Sequence, residues 1–212
     1  MPEVFLGASP LIEWGVATLA LPGEAESGDL HLVKAVKRGV LVAVVDGLGH
    51  GVEAASAARA AVAALEQHAN ESPLALVQRC HRALIGTRGV VLSLALFAPA
   101  DRSLTWVGVG NVEGMVLRAD GARFGPRRPA LITRGGIVGS ELPQMSVQVL
   151  PVAAGDTLIF ATDGIKEGFA EQLPADATPQ QQADHILTRH GKGTDDALVL
   201  VARYRGGAGT SG

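Results

Sequence analysis

The chain has 212 residues, 47% of them hydrophobic, which is enough to bury a core and to fold as a single domain. Its formal net charge of −3 gives no electrostatic case for binding nucleic acid or an anionic membrane. No apolar run approaches the roughly 18 residues that span a bilayer, and the segment Met1–Gly15 lacks the basic start of a signal peptide. We therefore expect a cytoplasmic protein, and we expect it to be a monomer.

Three strands are predicted before the first helix. The apolar segment Leu11–Leu21 is the first, and alternation of apolar and polar residues over Asp29–Lys37 predicts the second. The β-branched run Val40–Val45 predicts a third strand that is buried on both faces and pairs with the second through Arg38-Gly39.

Three helices are predicted from propensity and capping residues. Alanine dominates Val52–His68, which therefore favours a helix. Ser72-Pro73 is typical of a helix start, with serine as the N-cap and proline at the first helical position. Pro179–His190 predicts the third helix, with Thr178 as its N-cap.

The rest of the chain predicts mainly strands: Val90–Phe97, Ser103–Val109, Glu113–Leu117, Gln144–Pro151, Asp156–Ala161 and Ala197–Tyr204. Asp120-Gly121 indicates a hairpin turn, Gly125–Leu142 is rich in loop-forming residues, and 206–212 is expected to be a flexible tail. Because strands and helices do not alternate, the order favours two packed antiparallel sheets with helices outside, an α+β domain over residues 1–205.

Four aspartates lie beside a glycine or a turn at the end or start of a predicted strand: Asp29, Asp46, Asp163 and Asp195. Asp46 and Asp163 follow apolar runs, where an unpaired carboxylate is costly. Hard divalent cations prefer oxygen ligands, and two ions about 3.5–4 Å apart can clamp a phosphoryl group during in-line attack. Asp-Gly is also an ordinary turn pair, so the residues alone leave a metal-dependent phosphate-ester hydrolase and a set of plain turns both open.

Four segments together resemble the metal-dependent serine/threonine phosphatases of the type 2C superfamily, in particular their SpoIIE-like bacterial branch. These segments occur in the family's order and are Ser27–Asp29, Val44–Gly51, Phe160–Ile165 and Asp195–Val199. The resemblance runs from about Leu11 to Tyr204. It implies a four-layer αββα sandwich with two Mn²⁺ or Mg²⁺ ions at one edge of the two sheets.

The resemblance also implies a role for each aspartate. Asp46 would bridge both ions, and the carbonyl of Gly47 and the carboxylate of Asp29 would hold one of them. Asp163 and Asp195 would hold the other. The segment Gly110-Asn111 resembles one that lies near the site in the family, and Gly136–Gly139 resembles a glycine loop that borders it.

For some residues near these motifs, the sequence leaves two interpretations open. His50 lies four residues after Asp46, and it could donate a proton to the leaving serine oxygen or act as a cap or turn residue. Asp196 stands where the family has Asn or Asp, so its ligation of metal stays open. Three arginines could steer phosphate or form a solvated basic loop: Arg127, Arg128 and Arg134.

The function that the resemblance implies is a phosphoserine/phosphothreonine protein phosphatase in which two metal ions activate a hydroxide. The lack of an attached sensor or coiled-coil domain is similar to the stand-alone members of the branch, which reset a bacterial stress response by dephosphorylating stressosome scaffold proteins. Alternatives are a catalytically silent partner-binding module and a hydrolase of small phosphate esters. A dinucleotide-binding protein is a further alternative, since Gly49–Ala54 fits the weak pattern G-x-G-x-x-A.

Overall fold

The computed structural model describes residues 11–119, 130–171, 173, 174 and 176–206. The strands are β1 (Ile12–Leu19), β2 (Asp29–Val36), β3 (Gly39–Gly47), β4 (Val90–Ala98), β5 (Ser103–Val109), β6 (Glu113–Leu117), β7 (Ala130–Leu131), β8 (Gln148–Pro151), β9 (Thr157–Ala161) and β10 (Ala197–Tyr204). The helices are α1 (Gly51–Gln67), α2 (Pro73–Ala83) and α3 (Pro179–His190).

The strands form two five-stranded sheets in which every neighbouring pair is antiparallel. One sheet has the order β1-β10-β9-β6-β7, and the other has the order β2-β3-β4-β5-β8. The predicted α+β arrangement of two antiparallel sheets is confirmed. The pattern G-x-G-x-x-A follows β3, which pairs antiparallel with both β2 and β4, so it does not belong to a parallel βαβ unit.

Three apolar clusters separate four layers. The central cluster lies between the sheets and includes Phe97, Trp106 and Phe160, all of them fully buried. A second cluster joins α1 and α2 to the sheet that contains β3, and a third joins α3 to the sheet that contains β10. The helices therefore cover the outer face of each sheet, which gives the predicted αββα sandwich.

Two helices begin at the capping residues that the sequence predicts. Thr178 and Gln181 form a complete capping box at the start of α3, in which each side chain accepts the other residue's backbone N–H. Ser72 accepts the N–H of Ala75 at the start of α2, with a longer distance of 3.4 Å. These bonds satisfy backbone donors that a helix start otherwise leaves unpaired.

The structure corrects the bounds of several predicted strands: the first ends at Leu19, for example, and β7 lies within the segment predicted to be rich in loops. The strand predicted over Gln144–Pro151 is limited to Gln148–Pro151, where it pairs with β5. Asp156 lies directly before β9, where its carboxylate accepts the N–H groups of Ala119 and Ala153 and forms a buried ion pair with Arg118 at 2.7 Å. The N–H of Asp156 donates to the carbonyl of Ala153 at 3.0 Å, which closes a turn directly before the strand.

Several sequence predictions fall on residues that the structure does not describe. They are the hairpin at Asp120-Gly121, the two arginines Arg127 and Arg128, and the tail from residue 207 onward. Within the described ranges, none of the helices combines the length and apolar character that crossing a membrane requires.

Candidate active site

Two aspartates face each other where β2 begins and β3 ends. Asp29 is the first residue of β2, Asp46 is the last but one of β3, and the antiparallel register places them directly opposite each other. The N–H of Gly47 donates to the carbonyl of Gly28 at 3.1 Å, which closes this end of the strand pair. Asp29 is only 4% exposed, so the fold holds its carboxylate away from bulk water.

The other sheet supplies two more carboxylates at the same edge. Asp163 follows β9 and Asp195 precedes β10, and these two strands are neighbours in their sheet. An open cleft of about 200 Å³ is lined by Asp46, Asp163 and Asp195, together with His50 and Asn111. The structure therefore brings predicted site residues from both sheets into one cleft.

Burial and mutual repulsion make two of these carboxyl groups hard to ionise. Burial raises the pKa of Asp46 to about 9, and the charges of the neighbouring aspartates, first of all Asp29, add to this effect. Burial also raises the pKa of Asp29 to about 7, against the opposite effect of a hydrogen bond from Thr162. A divalent cation compensates charge that water no longer solvates, so it would relieve both groups.

Hydrogen bonds hold two of the aspartates in place. The hydroxyl of Thr162 donates to Oδ2 of Asp29 at 2.7 Å, and Nδ2 of Asn111 donates to Oδ2 of Asp163 at 2.8 Å. Asn111 belongs to the segment that the sequence predicts near the site, whereas the role of Thr162 was missed. The only signal for Thr162 is a hydroxyl residue directly before Asp163 at the end of an apolar strand.

Asp196, whose ligation of metal the sequence leaves open, has backbone N–H groups as partners. Its two carboxylate oxygens accept the N–H groups of Leu21 at 2.8 Å and Gly28 at 2.7 Å, and the residue is 4% exposed. These bonds satisfy the buried charge and tie the segment before β2 to the start of β10. Asp196 thus holds in place the chain segment that leads into Asp29.

His50 lines the cleft at the N-cap position of α1. Its side chain makes no hydrogen bond to the start of the helix, so His50 does not cap α1 through its side chain. Its Nδ1 lies 2.6 Å from Oε1 of Glu24, and the side chain is 60% exposed. The carboxylate of Glu24 thus orients the imidazole at the edge of the cleft.

Two cationic side chains near the cleft were missed by the sequence analysis. A Cβ atom at Gly49 would lie 2.7 Å from Nη1 of Arg88, so the guanidinium is packed against a residue that lines the cleft. Arg88 also forms an ion pair with Glu53 in the first turn of α1. Nζ of Lys192 donates to the backbone carbonyl of Asp163 at 2.5 Å.

Arg134 lies close to the site through its backbone. Its N–H donates to the carbonyl of Gly108 at 3.3 Å, and its carbonyl accepts the N–H of Gly110 at 2.8 Å. Arg134 is exposed, and Gly110, to which its carbonyl is hydrogen-bonded, directly precedes Asn111.

The donor set fits a hard divalent cation, since it consists of carboxylates and a backbone carbonyl. In the part of the chain that the structure describes, no group of three or more His, Cys, Asp or Glu side chains converges closely enough to hold an ion by itself. Magnesium usually keeps several waters and takes one or two carboxylates directly. Carboxylates spread around a cleft of about 200 Å³ can therefore hold ions partly through water.

The chain passes α1 very closely at Gly47, the residue after Asp46. A Cβ atom at Gly47 would come within 2.2 Å of the carbonyl oxygen of Ala54, so a side chain does not fit without a shift of backbone. Glycine thus lets the end of β3 pass directly against the first turns of α1.

The two sheets, their outer helices and the acidic edge define the fold of the PP2C-type serine/threonine phosphatases, which are metal-dependent hydrolases. The chain belongs to the family described as stage II sporulation protein E (SpoIIE), whose sequence profile matches residues 37–205.

Known relatives agree with this assignment. The phosphoserine phosphatase RsbX of Bacillus subtilis (strain 168) is 27% identical over 143 residues, which are 68% of this chain and 69% of that protein. A chain from a structural study of the bacterial stressosome, as a modular system adapted to control secondary messenger signaling, is 33% identical. It superimposes with a TM-score of 0.81 over 91% of this chain and 99% of its own length. RsbX in complex with magnesium superimposes with a TM-score of 0.83 over 95% of this chain and 100% of that one, and its 20% identity supports the fold alone.

Proposed function

We propose that the chain is a metal-dependent phosphoserine/phosphothreonine phosphatase that acts on stressosome scaffold proteins. The observation that carries the proposal is the cleft where carboxylates from both sheets meet, with the pKa of Asp46 raised to about 9 by burial and by neighbouring charge. Such a concentration of buried negative charge suits divalent cations. The solved relative from the stressosome study and the phosphoserine phosphatase RsbX support the substrate class.

In this proposal two ions, Mn²⁺ or Mg²⁺, are held by the residues predicted from the sequence. Asp46 would be a ligand of both ions, the carbonyl of Gly47 and the carboxylate of Asp29 would hold one, and Asp163 and Asp195 would hold the other. When bound, the ions supply Lewis acidity and an activated water for attack on phosphorus. The protein's part is to fix the carboxylates at one edge, where strand register and hydrogen bonds leave them little freedom.

His50 acts in this proposal as the proton donor to the leaving serine oxygen. The carboxylate of Glu24 holds Nδ1 at 2.6 Å, which orients the ring and leaves Nε2 for exchange of a proton at the cleft. Arg88 attracts the substrate phosphate, whose charge the carboxylates of the cleft repel. Its guanidinium is 51% exposed and lies beside Gly49 at the rim.

We further propose that residues 1–205 form one phosphatase domain and that the protein is a monomer in the cytoplasm. The three apolar clusters support the first point because they join both sheets and all three helices of the described chain into one packed unit.

A dephosphorylation assay on serine-phosphorylated stressosome scaffold protein tests the proposed function. With Mn²⁺ or Mg²⁺ present, we expect release of inorganic phosphate, and we expect a chelator to stop it. Release from p-nitrophenyl phosphate but not from the phosphoprotein would favour a small-ester hydrolase. Release from neither substrate, with metal bound, would favour a silent partner-binding module.

A further inference from the structure

Thr162 connects the two sheets at the acidic cleft. It follows directly after β9, and the residue is only 2% exposed. Its hydroxyl lies 2.7 Å from Oδ2 of Asp29, which begins β2 in the opposite sheet. A buried hydrogen bond thus links residues that are 133 positions apart in the sequence.

The direction of this hydrogen bond is fixed by a third group. The N–H of Leu198 donates to Oγ1 of Thr162 at 2.8 Å, so the hydroxyl must direct its single proton elsewhere. The carbonyl of Leu198 is 3.4 Å from Oγ1, whereas Oδ2 of Asp29 is 2.7 Å away. The shorter distance makes Asp29 the acceptor, and the donated proton occupies one of its two oxygens.

We propose that Thr162 is a positioning residue that orients Asp29 for metal binding. The hydrogen bond holds Oδ2 toward Thr162 and so fixes the direction in which Oδ1 faces an ion or the water of an ion. This inference rests on the proposed function, in which Asp29 holds one of two ions.

The backbone of Thr162 extends this role toward the second ion. Its N–H donates to the carbonyl of Leu198 at 3.0 Å, which continues the pairing of β9 with β10 by one residue. Asp163 comes next in the chain, so the same residue fixes the start of the turn that carries a ligand of the other ion. Outer partners of this kind are known to tune metal affinity in proteins.

Matched variants separate positioning from plain stability. Thr162→Val keeps the branched shape and removes the hydroxyl, and Thr162→Ser restores the hydroxyl without the methyl group. Thr162→Cys resembles the serine variant in size but carries a weak donor. Thr157→Val is the control, since Thr157 lies at the other end of β9, is 5% exposed and donates to the carbonyl of Gly155 at 3.2 Å.

Calorimetric titration of the metal-free protein with MnCl₂ measures the effect directly, with thermal unfolding in chelator as a second readout. We expect Thr162→Val and Thr162→Cys to bind Mn²⁺ roughly ten- to a hundredfold more weakly. We expect Thr162→Ser to stay close to wild type. Thr157→Val should unfold at a lower temperature and bind Mn²⁺ as wild type does.

Wild-type affinity in the valine or cysteine variant would overturn the inference, as would an equal loss in the serine variant. If the valine variant does not fold, the comparison of serine with cysteine decides the matter. A wild-type protein that binds neither Mn²⁺ nor Mg²⁺ would instead overturn the proposed function, and the inference with it.

Discussion

Asp46 combines partial burial with the charge of nearby carboxylates, and at the scale of single residues this combination explains both its chemistry and its cost. The folded chain raises the pKa of Asp46 from 3.8 to about 9. Metal-free protein must therefore either keep a proton on Asp46 or tolerate a poorly solvated charge. A group in a cleft whose pKa is shifted this far is typical of a functional site.

Replacing Asp46 with asparagine should remove activity and leave the fold intact. We expect turnover of a phosphoserine substrate below about a tenth of the wild-type rate, because the ligand shared by both ions is lost. Activity with saturating Mn²⁺ and circular dichroism provide the measurements. Asp101→Asn, in an exposed turn between β4 and β5, is the matched control and should keep full activity. A fully active Asp46→Asn enzyme would contradict the bridging role.

Arg88 is the residue for which we expect an effect on substrate binding rather than on metal binding. Arg88→Ala should raise KM for a phosphoserine peptide roughly tenfold, since a charge-assisted hydrogen bond to phosphate is lost. Arg59→Ala is the control, because Arg59 is similarly exposed, lies on α1 and pairs with Glu26 at 2.6 Å. Equal KM values in the two variants would show that Arg88 does not contact the phosphate.

At the scale of secondary-structure elements, the meeting of β2 and β3 makes stability depend on pH. Because Asp46 has a raised pKa, the folded metal-free chain binds more protons than the unfolded chain between about pH 4 and pH 9. The contribution of Asp46 to folding stability is fully present at low pH and is lost as the pH rises through this window. The metal-free Asp46→Asn variant has no such carboxyl group and therefore does not lose stability in this way as the pH rises.

The stability difference between Asp46→Asn and wild type should therefore grow with pH in the metal-free state. We expect the variant to be more stable at pH 8 by about 1–3 kcal/mol, and the difference to shrink toward pH 5. Urea unfolding in chelator at several pH values measures it. A difference that stays constant over this range would mean that Asp46 ionises normally in the folded chain, and one that grows toward acid would mean that its pKa is lowered, so either result would contradict this account.

The helix caps allow a second comparison at this scale. Thr178→Ala removes half of a complete capping box and should cost about 1 kcal/mol of unfolding free energy. Ser72→Ala removes a single, longer hydrogen bond of 3.4 Å and should cost less. Both variants should keep the wild-type Mn²⁺ affinity, as α2 and α3 are outside the cleft lining. The opposite order of the two costs in urea unfolding would contradict this account of the caps.

The elements that the sequence predicted well are those whose signals are local. The β-branched run of β3 and the caps of α2 and α3 involve neighbours within a few residues, so their pattern is visible without the fold. The start of β8 depends on pairing with β5, and the two-residue β7 depends on β6. No periodicity in the sequence encodes those partners.

The site shows the same division between motif and tertiary contact. Four short motifs predicted that Asp29, Asp46, Asp163 and Asp195 share one edge. The partner of Asp196 could not be predicted, because the N–H groups that it accepts are 168 and 175 positions away. Thr162 and Arg88 were missed for the same reason.

At the scale of the whole molecule, the site exists only because the two sheets pack face to face. The central cluster sets how closely the β2–β3 end of one sheet approaches the β9–β10 end of the other. Ions that contact ligands from both sheets should therefore stabilise the folded state as a unit. The proposed ligands come from positions as far apart as Asp29 and Asp195, so metal binding would report on the complete fold.

The most direct test of this account is an anomalous-scattering map from crystals of the protein grown with MnCl₂. We expect two manganese peaks in the cleft, both in contact with Asp46, one also near Asp29 and Gly47 and the other near Asp163 and Asp195. Peaks confined to other surfaces, or a cleft without manganese at saturating concentration, would contradict the claim that carboxylates of both sheets meet to bind metal.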